Sequence, residues 1–198
     1  MSNYHILKFN QSFLKDSIIY KPEYIKSAWT TNKVKIEDFL NEDALNWIKN
    51  LSIKPYYYAN LFCGLPNRFT DIHIDQHVWA INFVWGSSQS SMLWYDITGP
   101  GISDKTTAGT GYTKWSQEQA KEIQSVNDFS HPMLVRTDIA HRVYNLSNDI
   151  RWCLSIRGFP EVSWNRIVKL LRPNFMVPTL GIEPSLRALQ AHASTRLA

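Results

Sequence analysis

Residues 71–85 read DIHIDQHVWAINFVW. Most of this stretch has the apolar, β-branched and aromatic content of a buried strand. Alternation puts Ile72 and Ile74 on one face and His73 and Asp75 on the other. Polar residues heading for a core need a reason: a surface pair, a satisfied buried pair, or a pocket that both side chains enter. His-x-Asp on a strand aims an imidazole and a carboxylate at one point. His77 shares the parity of Asp75, so spacing alone does not choose between His73 and His77.

Outward from this stretch the chain breaks into short runs of the same texture. They are YYYANLFC (56–63), RFTDIHID (68–75), HVWAINFVWG (77–86), SMLWYDI (91–97), PMLVRT (132–137), HRVYNL (141–146) and IRWCLSIRGF (150–159). Turn residues punctuate them, among them Gly64, Pro66, Asn67 and the span from Gly86 to Ser90. YHILKF (4–9) reads as a first strand. Phe39, Leu40, Leu45, Trp47, Ile48 and Leu51 recur at helical spacing, which predicts an amphipathic helix over 36–51. VSWNRIVKLL, ending before Pro173, predicts a second. About eight strands without intervening helices predict a mainly β domain, a barrel or jelly roll with flanking helices. That domain spans 1–172 with its core at 56–159. The tail, 173–198, has little aromatic content and reads as a loosely docked helix or a poorly ordered end. The polar stretch 99–127 reads as a lid or substrate loop. Within it, SQEQAKEIQ (116–124) fits either a short helix capped by Ser116 or the approach to a strand.

Composition bounds the function. The chain has 198 residues, 44% of them hydrophobic and 13% aromatic, so it can bury a core rather than remain disordered. No apolar run is long enough to span a bilayer, and MSNYHILKFNQSFLKD has neither the basic start nor the apolar run of a signal peptide. Cys63 and Cys153 form no disulfide framework and no zinc spacing, so a reducing, cytoplasmic setting is expected. Lys/Arg and Asp/Glu balance over 1–156 at 15 each, and the net +4 resides in 157–198 as six dispersed basic residues against Glu161 and Glu183. That is not the dense patch of a nucleic-acid binder.

A metal site needs a third ligand, and His141 is the candidate, at the start of a strand after the polar turn TDIA. Two histidines and one carboxylate on one face, with the other positions open, is the donor set of non-haem Fe(II) oxygenases. Ten residues later Arg151, Cys153, Ser155 and Arg157 share one face of RWCLSIR. An inward arginine needs a partner, and its planar fork suits a carboxylate.

The order His73-x-Asp75, His141, then Arg151 with a following Ser155 resembles the 2-oxoglutarate- and Fe(II)-dependent oxygenases. The matching text is HID (73–75), AINFVWG (80–86), SSMLWYD (90–96) and LVRTDIAHRVYNLSNDIRWCLSIRG (134–158), and it covers roughly 68–158. Within that superfamily the chain looks most like the small aspartyl/asparaginyl β-hydroxylase-like and prolyl-hydroxylase-like members. The resemblance implies a double-stranded β-helix, or jelly roll. It implies iron on His73, Asp75 and His141, and 2-oxoglutarate held at its far carboxylate by Arg151 with help from Ser155. It implies dioxygen as the other small-molecule co-substrate, and hydroxylation of a peptide side chain or of a small molecule.

The chain departs from the β-hydroxylases in keeping the carboxylate ligand and in placing Asn82 where they carry basic residues. Asn82 either donates to 2-oxoglutarate or satisfies the backbone. The spacing Arg151 to Arg157 is also similar to the nucleic-acid demethylase branch, where the second arginine contacts the co-substrate. With no basic reading surface expected, Arg157 reads instead as a rim or structural ion pair. Tyr95 is a candidate cofactor-pocket residue or a core residue. Asp138 and Arg142 are candidates to orient His141. Cys153 reads as packing and His131 as a surface loop residue. His141-x-x-x-Asn145 echoes the second motif of cupins, which share the jelly roll, although the cupin first motif is missing. The rivals are therefore a cupin-like metal-binding protein and a non-catalytic jelly roll.

Overall fold

The computed structural model describes residues 2–9, 11–51, 58–106, 109–159 and 161–176. Its strands are β1 (Tyr4–Ile6), β2 (Trp29–Val34), β3 (Tyr58–Gly64), β4 (Arg68–Phe69), β5 (Ile72–Asp75), β6 (Trp79–Trp85) and β7 (Ser90–Ile97). They continue with β8 (Ile102–Lys105), β9 (Gly111–Trp115), β10 (Ala120–Val126), β11 (Met133–Arg136), β12 (His141–Asn145) and β13 (Arg151–Arg157). Two α-helices flank them, α1 (Glu42–Asn50) and α2 (Trp164–Leu171).

The strands form two antiparallel sheets, a six-stranded one in the order β1-β11-β6-β13-β3-β2 and a seven-stranded one in the order β10-β7-β12-β5-β9-β8, with β4 on β12. From β5 to β7 and again from β11 to β13 the chain alternates between the sheets. That winding is a jelly roll, as the strand pattern and the resemblance predict.

The largest apolar cluster does not fill the space between the sheets. It lies on the outer face of the six-stranded sheet. There Leu61, Ile81, Phe83, Leu154 and Ile156 meet Ala44 and Ile48 of α1, Ile167 and Leu171 of α2, and Leu7, Phe39 and Leu40 of the N-terminal segment. Between the sheets the filling is split. Ala80, Met92, Trp94, Met133 and Val135 close one half. The other half is lined by the inward residues of β13, β5 and β12 and forms a cavity. Stability drawn from the outer face leaves the inner face free to be polar.

Two expectations need correction. The helix over 36–51 is a 3₁₀ turn at Ile36–Asp38 followed by α1 alone, because Asn41 takes an extended backbone and its side chain caps the Ala44 N–H. The stretch 99–127 is mostly strand: β8 and β9 form a hairpin that extends the seven-stranded sheet, and β10 closes its other edge. Within it, Ser116 caps a 3₁₀ turn that leads directly into β10, so both expected features occur in sequence. The sequence also concealed β2, an edge strand of mixed polarity. Residues 177–198 of the expected tail and 56–57 of the expected strand YYYANLFC lie outside the described residues. Among the described residues no helix is long and apolar enough to cross a membrane.

Candidate metal centre

β5 and β12 are neighbours, and His141 stands directly opposite His73 in their register. The three potential ligand atoms of His73, Asp75 and His141 all lie within 4.8 Å of one another. His73 Nε2 is 3.6 Å from one Asp75 oxygen, and His141 Nε2 is 4.0 Å from the other.

The hydrogen bonds of the two rings fix their chemistry. His73 Nδ1 lies 2.8 Å from the Asp71 carbonyl, and His141 Nδ1 lies 2.9 Å from the Ile139 carbonyl. A carbonyl only accepts, so each neutral ring carries its proton on Nδ1 and turns the Nε2 lone pair toward Asp75. Burial, with the His73 ring beside it, lowers the pKa of His141 to about 4. The ring is therefore neutral at pH 7, the form that ligates. Burial acts to raise the Asp75 pKa, but Arg157 and the two rings outweigh it and hold the carboxyl at about 2. The neutral His141 ring and the Asp75 carboxylate thus meet where His73 Nε2 also points, a donor set suited to a cation.

Arg157 is a contributor the sequence reading undervalued. It is 6% exposed and lines the cavity, so it is not a rim residue. It is an ion pair, but with the candidate ligand itself: Nη1 donates to Asp75 Oδ2 at 2.6 Å. The oxygen that Arg157 holds is the one nearer His141, and the other faces His73. Its parity with Arg151 on RWCLSIR was the available signal.

Arg151 is 2% exposed on the same face of β13 and lines the same cavity. Its Nε donates to Ser90 Oγ at 2.7 Å, and its guanidinium lies 5.5 Å from the centre of the Phe129 ring. Among the described residues no carboxylate pairs with it. A buried cation without an anion is costly unless a ligand supplies one. Ser155 and Asn82 face the same cavity from directly opposite positions on β13 and β6, and the Asn82 side-chain oxygen is buried without a partner. The cavity offers about 70 Å³ to the centres of water-sized spheres, several times what one water needs, and enough only for a small ligand.

Other candidates fall elsewhere. Tyr95 does not line this cavity. It packs with Ile72, Leu93 and Ala140 in a separate cluster, because it has the opposite parity from Met92 and Trp94, which face inward. His77 lies beyond the end of β5 and its ring bonds Tyr58 Oη at 2.9 Å, so it stands apart from the ligand set. Asp138 pairs with Arg136, and Arg142 stacks over Phe69 and bonds Gln117; neither orients His141. Asn145 is a structural clamp: its amide donates to the carbonyls of Gly64, Leu65 and Asp149. Cys153 is buried in the cavity wall, and its burial raises the thiol pKa. His131 is half-buried and bonds the Phe9 carbonyl.

Fold and site together define a jelly roll with a two-histidine, one-carboxylate set that could hold a divalent metal ion. No protein-family model matches the chain, and no curated protein matches it. Solved structures similar to it include a Bacillus subtilis oxalate decarboxylase with Mn(II) centres, 15% identical over 74% of this chain and 30% of that one, with a TM-score of 0.34. An oxalate decarboxylase studied for a reaction-specificity switch is 12% identical over 88% of this chain and 35% of that one, with a TM-score of 0.40. The capsular polysaccharide assembling protein CapF of Staphylococcus aureus is 10% identical over 54% of this chain and 26% of that one, with a TM-score of 0.29. The chain thus spans about a third or less of the length of these structures.

Proposed function

We propose that the protein is an Fe(II)- and 2-oxoglutarate-dependent oxygenase that hydroxylates a peptide side chain or a small molecule. The observation that carries this reading is the pairing of two features in one cavity: the His73, Asp75 and His141 set, and the buried, carboxylate-free guanidinium of Arg151. A metal-binding jelly roll of the cupin kind has no need for that arginine. A keto diacid supplies the missing anion.

In this reading His73, Asp75 and His141 hold the metal, which when bound supplies the oxidising chemistry with dioxygen while 2-oxoglutarate is converted to succinate and carbon dioxide. The rest falls to this chain's own side chains. Arg157 keeps Asp75 ionised and presents it through one oxygen. Arg151 and Ser155 fix the far carboxylate of 2-oxoglutarate. Asn82, lining the same cavity, donates its amide N–H to 2-oxoglutarate. The apolar half of the interior shields the site from water.

The test is anaerobic titration of the protein with Fe(II) and 2-oxoglutarate, following the weak visible charge-transfer band of the chelate. The band is expected in the wild type, absent in His141→Ala, and demanding far more 2-oxoglutarate in Arg151→Ala. A folded wild type that gives no band leaves the cupin-like or non-catalytic reading.

A further inference from the structure

The balanced charge over residues 1–156 conceals a split. Residues 1–35 contain six lysines (Lys8, Lys15, Lys21, Lys26, Lys33 and Lys35) against Asp16 and Glu23 alone. Three of them converge. Lys21, Lys33 and Lys35 line an open depression with Tyr24, Val34 and Asp38. Lys21 precedes a 3₁₀ turn, Lys33 ends the inward face of β2, and Lys35 precedes the turn at Ile36–Asp38. All three are exposed, and none forms an ion pair with Asp38 or any other described carboxylate. Like charges gathered around a hollow repel one another and are relieved by an anion of high charge density.

The depression and the cavity share no lining residue, but β2 contributes to both. Trp29 and Phe62, on β2 and β3, line the cavity wall, and Lys33 has the same parity as Trp29 on β2. Lys33 Nζ sits 5.3 Å from the centre of the Tyr58 ring. Tyr58 in turn stands directly opposite Arg157 in the β3–β13 register, and Arg157 holds Asp75. Lys33 thus packs on the strand neighbour of the arginine that touches the candidate metal ligand. The inner cavity is small, so a substrate sharing it with a co-substrate must leave much of itself outside.

We infer that the lysine depression is a subsite for a multiply charged anionic group of the substrate, a phosphate ester or a clustered carboxylate, whose reacting end enters the cavity past Tyr58. This names the substrate class and rests on the oxygenase reading only for the reacting end. The anion site itself is independent of any metal.

The test is therefore made first on metal-free protein, with inorganic pyrophosphate as the probe and thermal stability and calorimetry as readouts. Pyrophosphate is expected to bind, more weakly as salt is raised. The triple variant Lys21→Gln/Lys33→Gln/Lys35→Gln should lose roughly tenfold or more in affinity. The control Lys8→Gln/Lys15→Gln/Lys26→Gln removes the same charge elsewhere and should retain binding. Equal losses in both variants, or no binding by the wild type, would overturn the subsite. Tight binding of a single-stranded oligonucleotide without binding of pyrophosphate would overturn it in favour of a polymer. A second arm uses the Fe(II)–2-oxoglutarate complex under anaerobic conditions. There, addition of a phosphate monoester should shift the visible band in the wild type and not in the triple variant. Loss of the band itself with pyrophosphate binding intact would sink the oxygenase reading and leave the anion site standing. An unshifted band in a wild type that binds the ester would sink the link between the two sites.

Discussion

At the scale of single residues, the most informative side chain is Arg151. A buried arginine placed for structure contributes through its partners, and its removal destabilises. Arg151 has a serine, the Cys153 sulfur and the face of an aromatic ring for company, none of them an anion, so its burial is incompletely compensated. Arg151→Met is therefore expected to leave thermal stability unchanged or raised, while the 2-oxoglutarate needed for chelate formation rises about 100-fold, the loss of two charge-assisted hydrogen bonds. Clear destabilisation would show that its role is structural. His141 gives a prediction of opposite character. Its pKa is about 4 in the fold against 6.5 for the ordinary group, so folding keeps it deprotonated where the unfolded chain binds a proton. In metal-free protein this stability is complete above pH 6.5, is lost as pH falls from 6.5 to 4, and then levels off. It amounts to on the order of 3 kcal/mol. His77, lowered mainly by burial and Arg157, adds in the same direction. Asp75 contributes with the other sign of group: its stabilisation is present above its ordinary range and lost only as pH approaches 2. Denaturation midpoints at pH 7, 5 and 4 should thus fall steeply in the wild type and much less in His141→Gln; equal slopes would refute the assignment. His73, Asp75 and His141 were legible because alternation and the polar break in an apolar run are local signals. The partnership of Arg157 with Asp75 was not, because it joins residues 82 positions apart on different sheets.

At the scale of elements, the strands carrying the site were read well, and the errors share a cause. β6 announces itself by near-continuous hydrophobicity, and β13 by the strict alternation of Trp152, Leu154 and Ile156 with Arg151, Cys153, Ser155 and Arg157. β8, β9 and β2 are edge or near-edge strands with one face in water, and their mixed polarity reads as loop. The helix over 36–51 failed for a different reason: its apolar spacing continues across Asn41, whose side chain ends one segment by capping the next. Turns between the sheets are where the fold is most exacting. Gly86, joining β6 to β7, has φ +87, and a Cβ there would collide with the Ile150 carbonyl just before β13. Gly86→Ala is expected to cost roughly 2 kcal/mol or more. The metal ligands sit on the opposite sheet, so divalent metal affinity should stay within severalfold of wild type, provided the measurement is made below the lowered melting temperature. A variant as stable as wild type would show that the chain can relax here.

At the scale of the whole molecule, the division of labour between the sheets becomes a statement about linkage. The seven-stranded sheet holds all three candidate metal ligands, on β5 and β12. The six-stranded sheet holds the candidate anchors of the co-substrate, Arg151 and Ser155 on β13 and Asn82 on β6. Each set of residues was legible in the sequence; the strand register that brings the two sheets face to face was not, because local patterns do not encode it. In the proposed function a metal alone would brace one sheet, whereas metal with 2-oxoglutarate would tie the two together across the polar half of the interior. Mn(II), used in place of Fe(II) to avoid oxidation, should raise the melting temperature. A ligand at a hundred times its dissociation constant contributes about 2.7 kcal/mol, or roughly 5–10 °C for a chain of this size. 2-Oxoglutarate without metal should have little effect. Added after Mn(II), it should give a further rise larger than its effect alone. In Arg151→Met the Mn(II) increment should persist and the 2-oxoglutarate increment vanish, and in Asp75→Ala both should vanish. If 2-oxoglutarate stabilised the metal-free protein as much as the Mn(II) form, the two groups would not meet in one cavity, and the sheets would be joined by packing alone.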